Sequence, residues 1–304
     1  MRLLTRSDFD GLACGAILKV LGVIDSWKFV HPKDIQDGLI EVTSNDVLAN
    51  IPFVQGAGMW FDHHSSEQER LRKDLVFKGE SRIADSAARV IYDYYQGEEK
   101  LPQMSEMIKA VDKVDSAKLS IDEIQNPEGW VLLGFVMDPR TGLGRFRSFR
   151  ISNYTLMDNL IDACSHQTIG EIIANPDVEE RVALYREQDQ LFRQMVGQVT
   201  RVDANVIISD LRGVDPIYAG NRFLIYSLYP NQNISLWIVD GRAKINASIA
   251  CGHSVLNRSA KTDVGSLMLK YGGGGHHQVG TCQVPYEEVD RIVGEIVEKM
   301  KADG

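Results

Sequence analysis

Short apolar runs alternate with stretches of helical spacing along the first third of the chain. LLTRS, from Leu3 to Ser7, predicts a brief strand, and LACGAILKVLG, from Leu12, predicts a helix that stops at Gly22. WKFVHP (27–32) and LIEVT (39–43) predict further strands, GMWFDHH (58–64) predicts another, and ADSAARVIYDYY (84–95) predicts a helix. Strands alternating with helices imply parallel βαβ units. The fold class expected is therefore α/β, with an N-terminal doubly wound, mainly parallel sheet. In such sheets ligands gather at the carboxyl ends of the strands.

Residues 100–175 have mostly helical character, and VEERVALYREQDQLFRQMVGQV (178–199) predicts one long charged helix leading out of the first domain. From about residue 200 the pattern changes to β-rich runs, ANVIISDL, RFLIYSLYP, ISLWIVDG and KINASIACG, closed by an amphipathic helix in the tail YEEVDRIVGEIVEKMKADG. The expected division is a domain over residues 1–190 joined by a helix to a smaller α/β domain over 191–304.

Composition narrows the function. The net charge of −9 argues against a protein that grips long duplexes through many phosphates and favours a small or short substrate. No apolar run approaches the roughly 18 residues of a membrane span, and MRLLTRSDFDG does not resemble a secretory leader. Cys14, Cys164, Cys251 and Cys282 form no CxxC pair, so a disulfide frame or zinc knot is not expected and a reduced, cytoplasmic protein is.

The chemistry sits in polar clusters that follow the strand predictions. Asp8 and Asp10 lie two apart ahead of Gly11; they suit a hard cation or cation pair, or equally an Asp-rich turn capping the next helix. LIEVT would deliver Asn45 and Asp46 to its carboxyl end, where a helix cap is the plainer role. In Asp62, His63 and His64 an acid can orient a histidine while another residue meets metal or substrate, and Ser65 and Ser66 would form a turn or cap. Asp112 and Asp115 fall on or just past a helix, where one could complete a metal site and both could be surface charges. YGGGGHHQVG, residues 271–280, offers an anion-binding glycine loop through Gly273, Gly274 and Gly275, with His276 and His277 as donors and Arg258 upstream. A basic, aromatic stretch carries Arg140, Arg145, Arg147 and Arg150 with Phe146 and Phe149, which fits a phosphate-holding surface, a solvated loop or a subunit contact.

Together these motifs resemble the DHH family of phosphoesterases. Asp62, His63 and His64 match its name motif, Asp8, Asp10 and Gly11 its acid pair, Asp46 its single acid after a strand, and Asp115 its fourth acid. Gly272 to Gly275, His276 and Gly280 match the glycine–histidine signature of the family's C-terminal associated domain. The resemblance covers nearly the whole chain and points to exopolyphosphatase-like, nanoRNase, pAp-phosphatase, cyclic-dinucleotide and RecJ-type branches. It implies a two-metal centre, usually manganese, with magnesium, cobalt or iron as alternatives. In that scheme Asp46 bridges, Asp8 serves one ion, and Asp10, His63 and Asp115 serve the other. Asp62 orients the histidines, His64 faces the substrate phosphate, and His276 with the glycine loop brings phosphate in from the second domain.

One departure stands out. Several branches carry a ligand histidine just before the acid pair, where this chain has Arg6. The function expected is manganese-dependent hydrolysis of phosphoesters in short oligonucleotides or nucleotide phosphates. Exopolyphosphatase and cyclic-dinucleotide phosphodiesterase activities are the enzymatic alternatives, and a catalytically degraded nucleotide-binding protein is the non-enzymatic one. The implied partners are a small phosphate compound or a short single strand, with no membrane and no long duplex; a homodimer is compatible with all of these.

Overall fold

The computed structural model of the 304-residue chain describes residues 1–64, 67 and 76–304. The reading of Ser65 and Ser66 as a turn or cap lies outside the described residues.

The chain divides into two compact units. The first comprises Met1–Lys118 and Pro127–Tyr185, and the second comprises Leu119–Asn126 and Arg186–Gly304. The first unit holds a five-stranded sheet built from β1 (Arg2–Thr5), β2 (Ser26–Phe29), β3 (Asp46–Ala49), β4 (Met59–Asp62) and β5 (Gly79–Ser81), in the order β2-β1-β3-β4-β5. Every pairing in it is parallel, so the expected α/β doubly wound sheet is present. The strand order reverses between β1 and β3, and the crevice at the carboxyl ends of those two strands is where such sheets bind ligands.

All four residues of β3 and of β4 are buried, as in a sheet covered on both faces. Leu4, Leu48 and Trp60 share one core with Val30, Ile35 and Ile51. Around the sheet run α1 (Phe9–Val20), α2 (Ala87–Tyr94), α3 (Ser105–Asp115), α4 (Gly129–Met137) and α5 (Asn153–His166), with α1 packed against α2, α3 and α5.

LIEVT is not a strand. Its residues are exposed or half-buried, and Ile40 and Val42 merely lean on the core, so the strand is β3, where Asp46 leads into the apolar run Val47–Ala49. A fully buried parallel strand shows an unbroken apolar run, whereas the alternation of LIEVT belongs to a half-wet segment.

The long helix α6 (Pro176–Val199) forms as expected, and the division between the units falls within it. The second unit has a six-stranded sheet of β6 (Thr200–Asp203), β7 (Val206–Asp210), β8 (Ile234–Asp240), β9 (Asn246–His253), β10 (Gly274–His276) and β11 (Val279–Pro285), ordered β10-β11-β9-β8-β7-β6. Only β7 with β8 is parallel. Helix α7 (Val264–Leu269) packs on β10 and β11, and α8 (Val289–Asp303) buries Val289, Ile292, Val293, Ile296, Val297 and Met300 at helical spacing. Within RFLIYSLYP the structure has a helical segment, Leu224–Leu228, instead of a strand, because a short apolar run carries no period that separates the two. All four cysteines are buried and free. Among the described residues no helix is long and apolar enough to cross a membrane.

Candidate metal centre

The parallel register sets the site. Thr5 pairs with Ala49 and Ala49 with Phe61, so Arg6, Asn50 and Asp62 follow one another across three adjacent strand ends. Two residues beyond Arg6, Asp8 caps α1 by accepting from the Gly11 amide at 2.9 Å. Gly11 must lack a side chain, because a Cβ there would lie 2.1 Å from the Arg6 carbonyl oxygen.

Asp10, His63 and Asp115 converge, with one donor atom from each within 4.8 Å of the others. His63 Nε2 lies 3.3 Å from Asp115 Oδ2 and 3.8 Å from Asp10 Oδ2. Its other nitrogen, Nδ1, is 3.2 Å from the Ala84 carbonyl, which can only accept, so Nδ1 carries the proton. Nε2 is then buried without a hydrogen-bond partner and turns a lone pair toward two carboxylates. That arrangement is stable only with a cation or a second proton between them, and mixed imidazole and carboxylate donors suit manganese, iron, cobalt or zinc. The residues fit a divalent metal.

The electrostatics agree. Burial pushes the Asp10 carboxyl well up, and the charges of Asp115 and Asp8 add to this, against the backbone N–H groups of Ala88 and Ala87. Those two amides, at the N-terminus of α2, donate to Asp10 at 2.8 and 2.9 Å. A helix start thus fixes the acid and favours its charged form. The Asp115 carboxyl is also raised, by burial first and by Asp8, with His63 acting in the opposite direction.

Asp62, fully buried, accepts from the His64 amide at 3.2 Å and lies 3.0 Å from His64 Nδ1. It orients His64 alone; His63 is held instead by Ala84. Burial disfavours the His64 imidazolium, but the Asp62 hydrogen bond and charge, with Asp115, outweigh it and leave the pKa above the ordinary value.

Sequence reasoning missed two residues of this site, Asn50 and Asp138, and named a third, Arg140, only as part of a basic stretch. Asn50 donates Nδ2 to Asp8 Oδ1 at 3.1 Å. Asp138 and Arg140 line the same small cavity as Asp8, Asp10 and Asp115, with Arg140 Nε 2.8 Å from Asp138 Oδ1. The signal for Asn50 was the buried run VLA directly before it; for Arg140 there was only its place in a basic stretch. The other members of that stretch do not line the cavity: Arg145 Nε donates to the Gly142 carbonyl, Arg150 pairs with Asp177, and Phe149 stacks under Arg181.

Asp46 is not brought to the cluster. It opens β3 opposite Arg2, about 10 Å along the strand from the carboxyl edge at ~3.3 Å per residue. There both its oxygens are taken by Arg2, at 2.7 and 3.0 Å, and by the Thr43 amide at 2.7 Å. The bridging role expected for it therefore fails, because the strand begins at Asp46 and does not end before it. Asp112 is likewise occupied, by Ser86 at 2.7 Å and by Arg89 at 2.7 Å, which leaves Asp115 as the α3 acid in the cluster.

In the second unit, Gly272 lies in a turn and Gly273 outside any strand, while the other two glycines of the run belong to a strand. Gly274 and Gly275 pair with Thr281 and Gly280 in the edge strand β10, and a Cβ on Gly275 would lie 2.2 Å from the Val279 carbonyl. His276 and Arg258 are exposed in that unit, and Arg258 Nε donates to the Val255 carbonyl.

An acid–histidine cluster at the switch point of a parallel sheet is a donor set able to hold a divalent metal. No protein-family model and no curated protein sequence matches the chain. Among solved structures, a pGpG-specific phosphodiesterase, PggH from Vibrio cholerae, is 47% identical over 100% of this chain and 99% of its own, with a TM-score of 0.89. An exopolyphosphatase-related protein from Bacteroides fragilis (13% identical, 99% of this chain and 92% of that one, TM-score 0.51) shares the fold. A DHH domain from a member of the s1p family of ribosomal proteins (11% identical, 99% and 86%, TM-score 0.59) shares it too. The chain belongs to the DHH family of phosphoesterases, and it is a hydrolase.

Proposed function

We propose that the chain is a manganese-dependent phosphodiesterase that cleaves the internal phosphodiester of a short linear dinucleotide of the pGpG kind. The observation that carries the chemistry is the partnerless His63 Nε2 held against Asp10 and Asp115. Support for the substrate comes from the pGpG-specific relative, which matches along the whole chain.

Asp10, His63 and Asp115 would hold the ion. A divalent ion there supplies Lewis acidity toward the phosphoryl oxygen and lowers the pKa of an attacking water. The other residues have tasks of their own. His64, charged through Asp62, presents Nε2 as a donor to a phosphate oxygen or to the departing ribose oxygen. Arg6 and Arg140 offset the phosphate charge, and Asp8 and Asp138 keep those guanidinium groups in place. Water adds to phosphorus, the bond to the ribose oxygen breaks, and that oxygen takes up a proton. To His276, Arg258 and the N–H groups of Gly273 to Gly275 we assign phosphate binding in the second unit.

The test is a manganese-supplemented panel of pGpG, pAp, four-to-six-residue RNA, a cyclic dinucleotide and polyphosphate. The expected result is fastest turnover of pGpG, with a loss of roughly 10³-fold or more in Asp10→Asn. Turnover of polyphosphate or the cyclic dinucleotide with pGpG untouched would overturn the substrate assignment.

A further inference from the structure

We propose that this chain binds one divalent cation where the family resemblance implies two, and that the Arg6 guanidinium supplies the second positive charge. The inference rests on reading Asp10, His63 and Asp115 as a metal centre; it does not depend on which phosphodiester is cleaved.

Asp8 was expected to serve an ion. Its Oδ1 accepts from the Gly11 amide at 2.9 Å and the Asn50 amide at 3.1 Å, and its Oδ2 faces Arg6 Nε at 3.2 Å. A carboxylate holding a guanidinium and two N–H donors has little left to give a cation, and the guanidinium repels one. Asn50 turns its NH₂ group, which can only donate, toward Asp8 at the strand end beside Arg6. Of the two side chains bonded to Asp8, Arg6 is a cation and Asn50 is neutral, so neither adds negative charge for a second ion.

The acids around the centre pair off in the same sense. Asp8 pairs with Arg6, Asp138 with Arg140, and Asp62 with His64. Among the described residues, Asp10 and Asp115 share His63 as their ion-pair partner. Asp8 is thus a positioning residue for Arg6.

Metal content separates the two arrangements. The full chain is titrated with Mn²⁺, free Mn²⁺ is followed by electron paramagnetic resonance, and the washed protein is assayed for bound metal. One ion per chain is expected in the unaltered protein. One ion should also remain in Asp8→Asn, which keeps an oxygen to cap α1, and none should remain in Asp10→Asn. Asp115→Asn, altered at a partly exposed site, repeats the Asp10 test should Asp10→Asn fold poorly. Two ions in the unaltered chain, or loss of the single ion in Asp8→Asn, would overturn the inference. A chain that binds one ion yet leaves pGpG intact would sink the substrate assignment and leave this proposal standing.

Discussion

Asp46, which opens β3, and Asn50, which directly follows it, show how position decides what a polar side chain does. Burial opposes the charged form of Asp46, but Arg2 and Thr43 outweigh it and hold the carboxyl below the usual range. Its contribution to stability is therefore present above the unfolded pKa near 4 and lost as pH falls through the lower folded value. Asp46→Asn should lower stability by about 1–3 kcal/mol at neutral pH, with a correspondingly lower Tm, and this deficit should shrink in acid. Its Mn²⁺ stoichiometry should match the unaltered chain. Asp62→Asn should act differently, lowering kcat about 10²-fold. It should also shift the alkaline limb of the pH profile toward lower pH, because His64 loses the partner that raises its pKa. An unmoved limb would show that His64 is not the group titrating. Asp8, Asp10, His63 and Asp115 were legible as candidate chemistry because acids and histidines after apolar runs are uncommon. Asn50 was not, since an amide next to an acid becomes visible only once the strand's register is known.

At the level of elements, the sequence disclosed periodicity better than boundaries. The β4 run MWF was plain, and Trp60 at its centre is fully buried with Nε1 donating to the Ile51 carbonyl at 2.9 Å. Strand β3 was displaced onto LIEVT, whose pattern looked more regular than the four-residue strand that forms. The glycine run shows the opposite limit. Its composition suggested a phosphate loop, while its conformation follows from backbone packing: Gly265 of α7 lies so close that its Cβ would sit 2.8 Å from the Gly275 carbonyl. Gly275→Ala should therefore cost about 1–3 kcal/mol through overpacking, seen as a lower Tm and faster amide exchange in β10 and β11. His276→Ala, on the exposed end of β10, should leave Tm unchanged. If it binds phosphate as proposed, it raises KM about 10-fold with little change in kcat.

For the molecule as a whole, local positive charge runs against the overall balance. Arg6 and Arg140 stand beside the acid cluster of a protein whose net charge is −9. Arg6→Ala should weaken pGpG binding by about 10- to 100-fold, read as a rise in KM, because a charge-assisted contact is worth about 1.5–3 kcal/mol. Arg6→Lys should recover only part of that, since an ammonium cannot reproduce the planar fork. The Arg6–Asp8 pair also bears on how the enzyme would respond to metal scarcity. A charge carried by a side chain is present whatever the supply of manganese, whereas each bound ion must be drawn from solution. With free metal far below the dissociation constant, a centre needing two ions would lose about 100-fold in active fraction for a tenfold fall in supply, and a one-ion centre about tenfold. By building one of its cations from arginine, the chain would keep turning over substrate at metal levels that silence a two-ion relative.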